Sequence, residues 1–335
     1  MNDLPWRPKA PSGARHAVAC IGETMVSFIP SAGASLDETA SVDLDVAGAE
    51  SNVAMYLADH GVDARWISRL GDDAFGRRVL DRVRASGVDV SGVRTDPTRP
   101  TGLLFKDLGI THGGPGTKVT YRRQGSAASA MGPEVLELDA ARTAGVWHLT
   151  GITPALSADC RALVEAALDA AGHAVSFDVN FRPAVWQGRD PADLLRRYAQ
   201  AADIVFVGLD EAQALWGAHL ADARDVRTLL PEPHILVVKD GATAATMFCD
   251  QVRVVVPALR VDVVEPVGAG DAFAAGFLAA LLRGRSAEHC LRSGHLTAAA
   301  ALSVTGDHGP LPPPDEFALL LLAGDRSDLN RPEPA

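Results

Sequence analysis

The chain has 335 residues, of which 47% are hydrophobic, so it is long and apolar enough for one large α/β domain or two ordinary ones. Its net charge is −11 and it has no basic stripe, which argues against nucleic acid as a partner. Four separated cysteines without a C-x-x-C pair argue against a disulfide framework or a zinc site and indicate a reducing, cytoplasmic compartment. The longest apolar stretch, residues 272–282, is too short to span a bilayer, so no membrane partner is expected.

The first part of the chain predicts a leader and a small sheet. Residues 1–16 are rich in proline and in polar and charged side chains, and they lack the apolar run of a signal peptide, so a disordered leader is expected. Ala17–Ile21 predicts a short buried strand. The irregular segment 24–46, together with strands expected at 101–107 and 118–123, predicts a small separate sheet that acts as a lid.

The remaining chain alternates strands and helices, which implies a mainly parallel sheet with helices on both faces. The expected elements are helix 51–60, strand 64–68, helix 74–86, strand 146–149, helix 158–171, strand 174–179, helix 191–200, strand 203–207, helix 210–216, strand 234–238, a hairpin of 243–249 and 252–256, and helices 271–283 and 287–303. We expect one domain over residues 17–322, with lid segments at about 24–46 and 101–123, and a flexible tail over 323–335.

The most specific local feature is Gly268-Ala269-Gly270-Asp271, just before an apolar helix. Small residues let the backbone approach a ligand, and the first N–H groups of a helix form an anion-binding site. An aspartate beside that site could deprotonate a substrate hydroxyl, a combination that suits phosphoryl transfer. An ordinary helix N-cap is the alternative for Asp271. The motif G-x-x-x-x-G-K-[ST] is absent, and G-x-G-x-x-G fails at Phe273.

The pattern resembles the ribokinase family, the PfkB-type carbohydrate kinases. Residues 268–277, GAGDAFAAGF, are similar to the family's C-terminal motif, and residues 47–54, AGAESNVA, are similar to its glycine-rich sugar-binding segment. The resemblance extends over residues 17–320. Within the family, the 2-keto-3-deoxygluconate kinase group is the closest match, because four runs resemble it: 48–52, 121–129, 149–157 and 177–183.

The resemblance implies a ribokinase-like three-layer α/β/α domain with a mostly parallel central sheet and a small β-sheet lid. It also implies a general base, Asp271, and an anion hole formed by Gly268, Ala269 and Gly270. The implied substrate-binding residues are Gly48, Asn52, Tyr121, Arg123, Arg182 and Asp307, with the two arginines on a substrate carboxylate. The implied cofactor-binding residues are Asn180, Gly208, Lys239, Gly241, Thr243 and His295, and Glu211 is the magnesium-related position.

The implied activity is transfer of the γ-phosphoryl group of ATP, with Mg²⁺, to a terminal hydroxyl of a sugar acid, with 2-keto-3-deoxygluconate as the expected substrate. A guanidinium suits a carboxylate, whereas a neutral hexose needs none. A fructokinase or other neutral-sugar kinase and a non-catalytic sugar-acid-binding regulator are the alternatives. The resemblance also allows a homodimer or higher oligomer through the lid. It leaves a monovalent cation open, because Glu265 stands where the family commonly has aspartate.

Four of the candidate residues have a structural alternative that the sequence leaves open. The alternatives are a lid-surface charge for Arg123, a loop ion pair for Arg182, a helix N-cap for Asn52 and lid packing for Tyr121. On the strand that carries Tyr121, Arg122 is expected to face solvent. Gly208 stands where the family usually has asparagine, which is the observation behind the regulator alternative.

Overall fold

The structure is a computed structural model that describes residues 17–31, 35–108, 117–186 and 188–327. The expected leader and the last eight residues of the expected tail lie outside this part of the chain. The strands are β1 Ala17–Ile21, β2 Met25–Pro30, β3 Val42–Ala47, β4 Asp63–Gly71, β5 Val93–Asp96, β6 Leu103–Leu108, β7 Thr117–Arg122, β8 Val146–Thr150, β9 Ala174–Asp178, β10 Ile204–Gly208, β11 Ile235–Asp240, β12 Ala244–Cys249 and β13 Val252–Pro257. The helices are α1 Ala49–Asp59, α2 Ala74–Ala85, α3 Asp139–Arg142, α4 Thr153–Leu156, α5 Ala158–Asp169, α6 Pro183–Trp186, α7 Ala192–Ala201, α8 Leu209–Trp216, α9 Ala223–Leu229, α10 Ala269–Leu282, α11 Ala287–Leu302 and α12 Pro314–Ser327.

Nine of these strands form the central sheet, in the order β13-β12-β11-β10-β9-β8-β1-β4-β5. The strands from β11 to β5 run parallel, and the hairpin of β12 and β13 adds two antiparallel strands at one edge. Side chains of β1 alternate between two cores, as a pleated strand requires. Val18 and Cys20 pack with α1, α10 and α11, whereas Ala19 and Ile21 pack with α5 and α7 on the opposite face. The expected three-layer arrangement is therefore confirmed.

The other four strands form a smaller sheet, in the order β3-β2-β6-β7. Strand β2 pairs antiparallel with β3 and parallel with β6, and β6 pairs antiparallel with β7. The rings of Phe28 and Phe105 stack across β2 and β6 with their centroids 4.7 Å apart. The two chain segments that the sequence assigned to a lid thus lie together in one sheet.

Helix α10 is apolar on all sides because it is enclosed by the sheet and by α1 and α11. Its contact with α11 depends on Gly276, where a Cβ atom would lie 2.4 Å from the carbonyl oxygen of Ser293. The close approach of the two helices holds the start of α10 at the carboxyl edge of the sheet. Open α/β sheets bind ligands at this edge.

Several elements were missed or misjudged from the sequence, among them the four-residue helices α3, α4 and α6. Strand β5 is a short edge strand without an apolar pattern, and α9 is a short helix with one buried side chain, Val226. Helix α12 continues to Ser327, so the expected start of a flexible tail at residue 323 falls inside a helix. Among the helices that the structure describes, none combines the length and apolar character needed to cross a lipid bilayer.

Candidate active site

Asp271 is the third residue of α10, and its side chain is buried. Asn52 Nδ2 donates to its Oδ2 at 2.9 Å, and Asn180 Nδ2 donates to its Oδ1 at 3.1 Å. Each carboxylate oxygen therefore has an amide donor that fixes its orientation. The N-cap of α10 is Gly268, and no side chain caps this helix, so the simple capping alternative for Asp271 is wrong.

The protonation of Asp271 follows from its surroundings. Burial raises the pKa of Asp271 to about 7, and the negative charge of Asp178 adds to the rise, while the Asn52 amide opposes it. A carboxylate with a pKa near neutrality can hold a proton taken from a hydroxyl and is still largely ionised in mildly alkaline solution. These properties suit a general base.

An anion-binding region lies at the first turn of α10. Gly268 has a φ of 88°, in the left-handed region that favours glycine, and a Cβ there would lie 2.8 Å from the carbonyl oxygen of Asp307. Ala269 and Gly270 line a cleft. The Ala269 N–H donates to Pro266 O at 3.4 Å, and the N–H groups that follow it at the helix start are the ones that lack a partner four residues earlier in a helix. The ammonium group of Lys239 adds a positive charge beside this turn. Its Nζ lies 3.2 Å from the point that a Cβ atom on Gly270 would occupy. Backbone N–H groups and an ammonium group together suit phosphate oxygens.

The cleft beside this turn has a volume of about 660 Å³. Its far wall is apolar and includes Phe273 and His295, whose rings meet edge to face with their centroids 5.2 Å apart. Burial lowers the pKa of His295, so the imidazole is neutral and can face an uncharged heterocycle. The cleft therefore has a polar, cationic end at α10 and an apolar end, as a nucleotide requires.

Carboxylates and cations alternate where β9, β10 and β11 end. Lys239 Nζ donates to Asp178 Oδ2 at 2.8 Å, and Arg182 donates to Glu211 Oε1 at 3.0 Å. The other oxygen of Glu211 accepts the Gly208 N–H at 2.9 Å, as part of the cap of α8. Burial raises the pKa of Glu211. Oxygen ligands of this kind suit Mg²⁺, which keeps several waters when it bridges phosphates to a protein.

The opposite side of Asp271 is formed by α1 and by the segment after α11. Gly48 caps α1, and a Cβ on it would lie 2.5 Å from the carbonyl oxygen of Glu23, so only glycine fits. Asn52 lies inside α1, where its backbone N–H donates to Gly48 O, so the N-cap alternative for Asn52 is wrong. Its Nδ2 also donates to Asp307 Oδ2 at 3.3 Å. The Asn52 amide thus joins two carboxylates.

Arg123 requires a correction. The expectation was a guanidinium held ready for a substrate carboxylate, but its Nε donates to Glu23 Oε2 at 2.6 Å and one of its NH₂ groups lies 2.5 Å from the same oxygen. The physical reason is that Glu23 is buried, and a buried carboxylate needs a counter-charge. Arg123 lies just beyond β7 and is mostly covered, so it is not a lid-surface charge either. Arg122 is exposed, as expected.

Tyr121 packs against the apolar inner side of the small sheet, with Met25, Ala47 and Leu104. The Arg123 guanidinium lies 5.3 Å from its ring centroid. The lid-packing alternative therefore describes Tyr121, whose ring remains only partly buried. Arg182 forms the loop ion pair that was its alternative, and 47% of its side chain stays exposed.

Two of the expected cofactor-binding residues lie elsewhere. Asn180 contacts Asp271 instead of the cleft, in a left-handed backbone conformation with a φ of 38°. Thr243 is exposed in the turn between β11 and β12, where its N–H donates to Asp240 O. The other expected residues of this group line the cleft: Gly208, Lys239, Gly241 and His295, together with Glu211.

Sequence reasoning missed several charged residues beside the site. Glu50 is completely buried under Gly22 and accepts hydrogen bonds from Thr150 and Thr153, and burial raises its pKa. Lys106 is also completely buried. Glu50 lies within the glycine-rich run at residues 47–54. Nothing in the local sequence pattern shows that Lys106, in the lid segment, is buried. Its burial depends on a partner 201 residues away, Asp307.

The chain is similar to known proteins over most of its length. Residues 15–314 match the model of the pfkB family carbohydrate kinases. The chain is 34% identical to the 2-dehydro-3-deoxygluconokinase of Bacillus subtilis over 310 residues, covering 90% of this chain and 94% of that one. It is 33% identical to the enzyme of the same name from Thermoproteus tenax, covering 94% and 97%, and 33% identical to fructokinase-1 of Oryza sativa, covering 80% and 83%.

Solved structures are similar over almost the whole chain. The crystal structure of a PfkB protein from Polaromonas sp. JS666 is 33% identical, with a TM-score of 0.77, and the match covers 90% of this chain and 98% of that one. A fructokinase from Xylella fastidiosa, with ATP bound, is 25% identical, with a TM-score of 0.78, and the match covers 92% and 99%. The chain therefore belongs to the pfkB family of carbohydrate kinases and is an ATP-dependent sugar kinase.

Proposed function

We propose that the chain phosphorylates a terminal hydroxyl of 2-keto-3-deoxygluconate, or of a closely similar sugar acid. The observation that carries this proposal is the position of Arg182, which lines the same cleft as Ala269 and Gly270 at the start of α10. A half-exposed guanidinium beside that turn suits a small sugar that carries a carboxylate. The names of the relatives from Bacillus subtilis and Thermoproteus tenax support the same substrate.

In the proposed reaction, Asp271 accepts the proton of the sugar hydroxyl as its oxygen attacks the γ-phosphorus of ATP. Asn52 and Asn180 hold the carboxylate in place. The first N–H groups of α10 and the ammonium of Lys239 bind the charge that spreads over the phosphoryl oxygens. Mg²⁺ bound with ATP would neutralise phosphate charge. Glu211, which lines the cleft, would hold its water ligands, while Asp178 pairs with Lys239.

Arg123 has a conditional role in this proposal. Its bond to Glu23 leaves part of the guanidinium beside the Tyr121 ring, so it can meet a substrate carboxylate only from that side or by giving up Glu23. We assign the main carboxylate contact to Arg182, which also pairs with a glutamate, Glu211, but keeps 47% of its side chain exposed, against 10% for Arg123. Closure of the small sheet over the sugar, a dimer through that sheet and a monovalent cation remain predictions. Glu265, the departure that bears on the cation, is buried and accepts the Val267 N–H.

The test is an assay of ADP release with purified protein, ATP, Mg²⁺ and a panel of sugars. We expect kcat/KM for 2-keto-3-deoxygluconate to exceed that for fructose and ribose by at least about 10-fold, or about 1.4 kcal/mol in transition-state binding. A higher value for fructose would favour the neutral-sugar kinase that the similarity to rice fructokinase-1 suggests. Sugar-acid binding without ADP release from any sugar would favour the regulator.

A further inference from the structure

Three side chains that commonly bind metals meet at the end of the β11–β12 hairpin. His234 directly precedes β11, Cys249 is the last residue of β12, and Asp250 follows in the turn to β13. One ligand atom from each lies within 4.8 Å of the other two. In the register of the sheet, Ile235 pairs with Cys249, which places the preceding histidine beside the thiol.

The separations are longer than those of a formed coordination site. Cys249 Sγ lies 3.8 Å from His234 Nε2, whereas Asp250 Oδ1 lies 3.7 Å from His234 Nδ1, the other nitrogen of the ring. One imidazole binds one ion through one nitrogen, and neighbouring ligands of a tetrahedral ion lie roughly 3.3–3.7 Å apart. Since one ligand atom from each residue lies within 4.8 Å of the other two, rotation of the His234 and Asp250 side chains would bring one ring nitrogen, the thiol and the carboxylate onto one ion.

The backbone conformation at Asp250 belongs to the hairpin turn. Asp250 has a φ of 49° and, together with Gln251, forms the two-residue turn between β12 and β13. Turns of this length need a positive φ and accept aspartate there. The turn places Asp250 directly after Cys249, and its carboxylate lies 3.7 Å from His234 Nδ1.

The cluster has one buried side chain and two that are open to solvent. Cys249 is buried, while the side chains of His234 and Asp250 are 37% and 61% exposed. An ion can thus reach the thiol from solvent between the two exposed groups. The cluster lies at the opposite end of β11 from Lys239, so it is separate from the nucleotide cleft.

We propose that His234, Cys249 and Asp250 form a binding site for a borderline-soft divalent transition metal such as Zn²⁺, with a fourth position open to water. A thiolate and an imidazole favour Zn²⁺ or Co²⁺ over Mg²⁺, which prefers oxygen ligands. The sequence has no zinc-ligand spacing because the ligands lie at the ends of two paired strands, and this pairing brings residues 15 positions apart together.

Binding to a thiol releases its proton, because the thiolate is the form of cysteine that binds metals. The thiol proton goes to solvent when the metal–sulfur bond forms. Neither the metal nor the sulfur changes its oxidation state.

The experiment is a titration of the full-length, metal-free protein with Co²⁺, followed by displacement with Zn²⁺. We expect one equivalent of Co²⁺ to bind with a thiolate-to-cobalt charge-transfer band. Cys249→Ser should abolish the band, and His234→Gln should weaken binding at least about 10-fold. Asp250→Gly tests the third ligand without straining the turn, because glycine accepts a positive φ. We expect it to weaken binding by a similar factor.

Two further measurements complete the test. His219→Gln, which removes an exposed histidine outside the cluster, should leave Co²⁺ binding unchanged. Zn²⁺ should raise the melting temperature of the parent protein but not that of Cys249→Ser, because a ligand stabilises only the fold that binds it. The absence of the charge-transfer band at stoichiometric Co²⁺, or equal binding by Cys249→Ser, would overturn the proposal.

Discussion

Lys106 of the lid strand β6 forms a buried ion pair with Asp307, and its Nζ lies 2.8 Å from Asp307 Oδ1. The same ammonium donates to Thr305 O at 3.1 Å. Asp307 Oδ2 accepts from Asn52, and Asn52 donates in turn to Asp271. A positive charge on the small sheet is thus connected through three hydrogen bonds to the candidate base.

We expect Lys106→Met to destabilise the fold by about 3–5 kcal/mol, because it leaves the Asp307 carboxylate buried without a counter-charge. Urea unfolding measures the change. The double variant Lys106→Met/Asp307→Asn should recover part of the loss, since no uncompensated charge remains. If Lys106→Met unfolds at the same urea concentration as the parent, the ion pair contributes nothing to stability.

Asp271→Asn should lower kcat by a factor on the order of 10² or more, because a general base is lost while the shape of the site is kept. Steady-state assays measure kcat, and calorimetry should show that ATP binding is retained. Asp210→Asn is the matched control, since Asp210 is an exposed carboxylate that lines the same cleft. Near-normal turnover of Asp271→Asn would remove Asp271 from its proposed role.

The pH dependence follows from the pKa of Asp271 of about 7. The base must be ionised, so kcat should fall as the pH drops below about 7. The free energy of unfolding changes with pH in the opposite sense to kcat. Because the pKa of Asp271 is higher in the folded than in the unfolded protein, the protonated carboxyl stabilises the fold at low pH. This contribution is lost as the pH rises toward about 7. Asp271→Asn should therefore unfold at a higher temperature than the parent at pH 8. Equal melting temperatures there would contradict the raised pKa.

Gly268→Ala and Gly270→Ala form a matched pair within the anion-binding turn. At Gly268 a methyl group meets the backbone of Asp307 and the φ of 88° is strained for alanine, so we expect a cost of at least about 1–2 kcal/mol and a large loss of kcat. At Gly270 the nearest atom is the mobile end of Lys239, so the fold should tolerate alanine. Thermal melts and kinase assays compare the two. Equal stability losses would contradict this assignment.

Arg182→Ala should raise KM for a sugar acid by about 10- to 100-fold, the range expected for a lost hydrogen bond to a charged group, and leave KM for fructose nearly unchanged. Arg122→Ala, which removes an exposed arginine from β7, is the control and should have little effect. A KM for the sugar acid that does not respond to Arg182→Ala would contradict the proposed carboxylate contact.

Arg123→Ala tests a different contact. The substitution leaves the buried Glu23 carboxylate without its counter-charge. We therefore expect the free energy of unfolding to fall by about 3–5 kcal/mol, in addition to any change in KM. Urea unfolding separates this structural effect from substrate binding. An unchanged unfolding midpoint would mean that Glu23 does not depend on Arg123.

The sequence by itself determined the layers of the fold and the centre of the site. Apolar periodicity located most strands and helices to within one or two residues, because period two and period 3.6 are local properties of the chain. The run Gly268 to Asp271 predicted the candidate anion-binding turn and the candidate base for the same reason: one short segment contains both.

Only the tertiary structure decided which charges meet. The partners of Lys106 and Arg123 lie 201 and 100 residues away, so no local pattern shows that these cations are already paired with Asp307 and Glu23. Asn180, which was expected to contact the nucleotide, likewise donates a hydrogen bond to Asp271. Burial creates the need for each pairing, and burial is set by the packing of distant segments, whereas periodicity is set by neighbours in the chain.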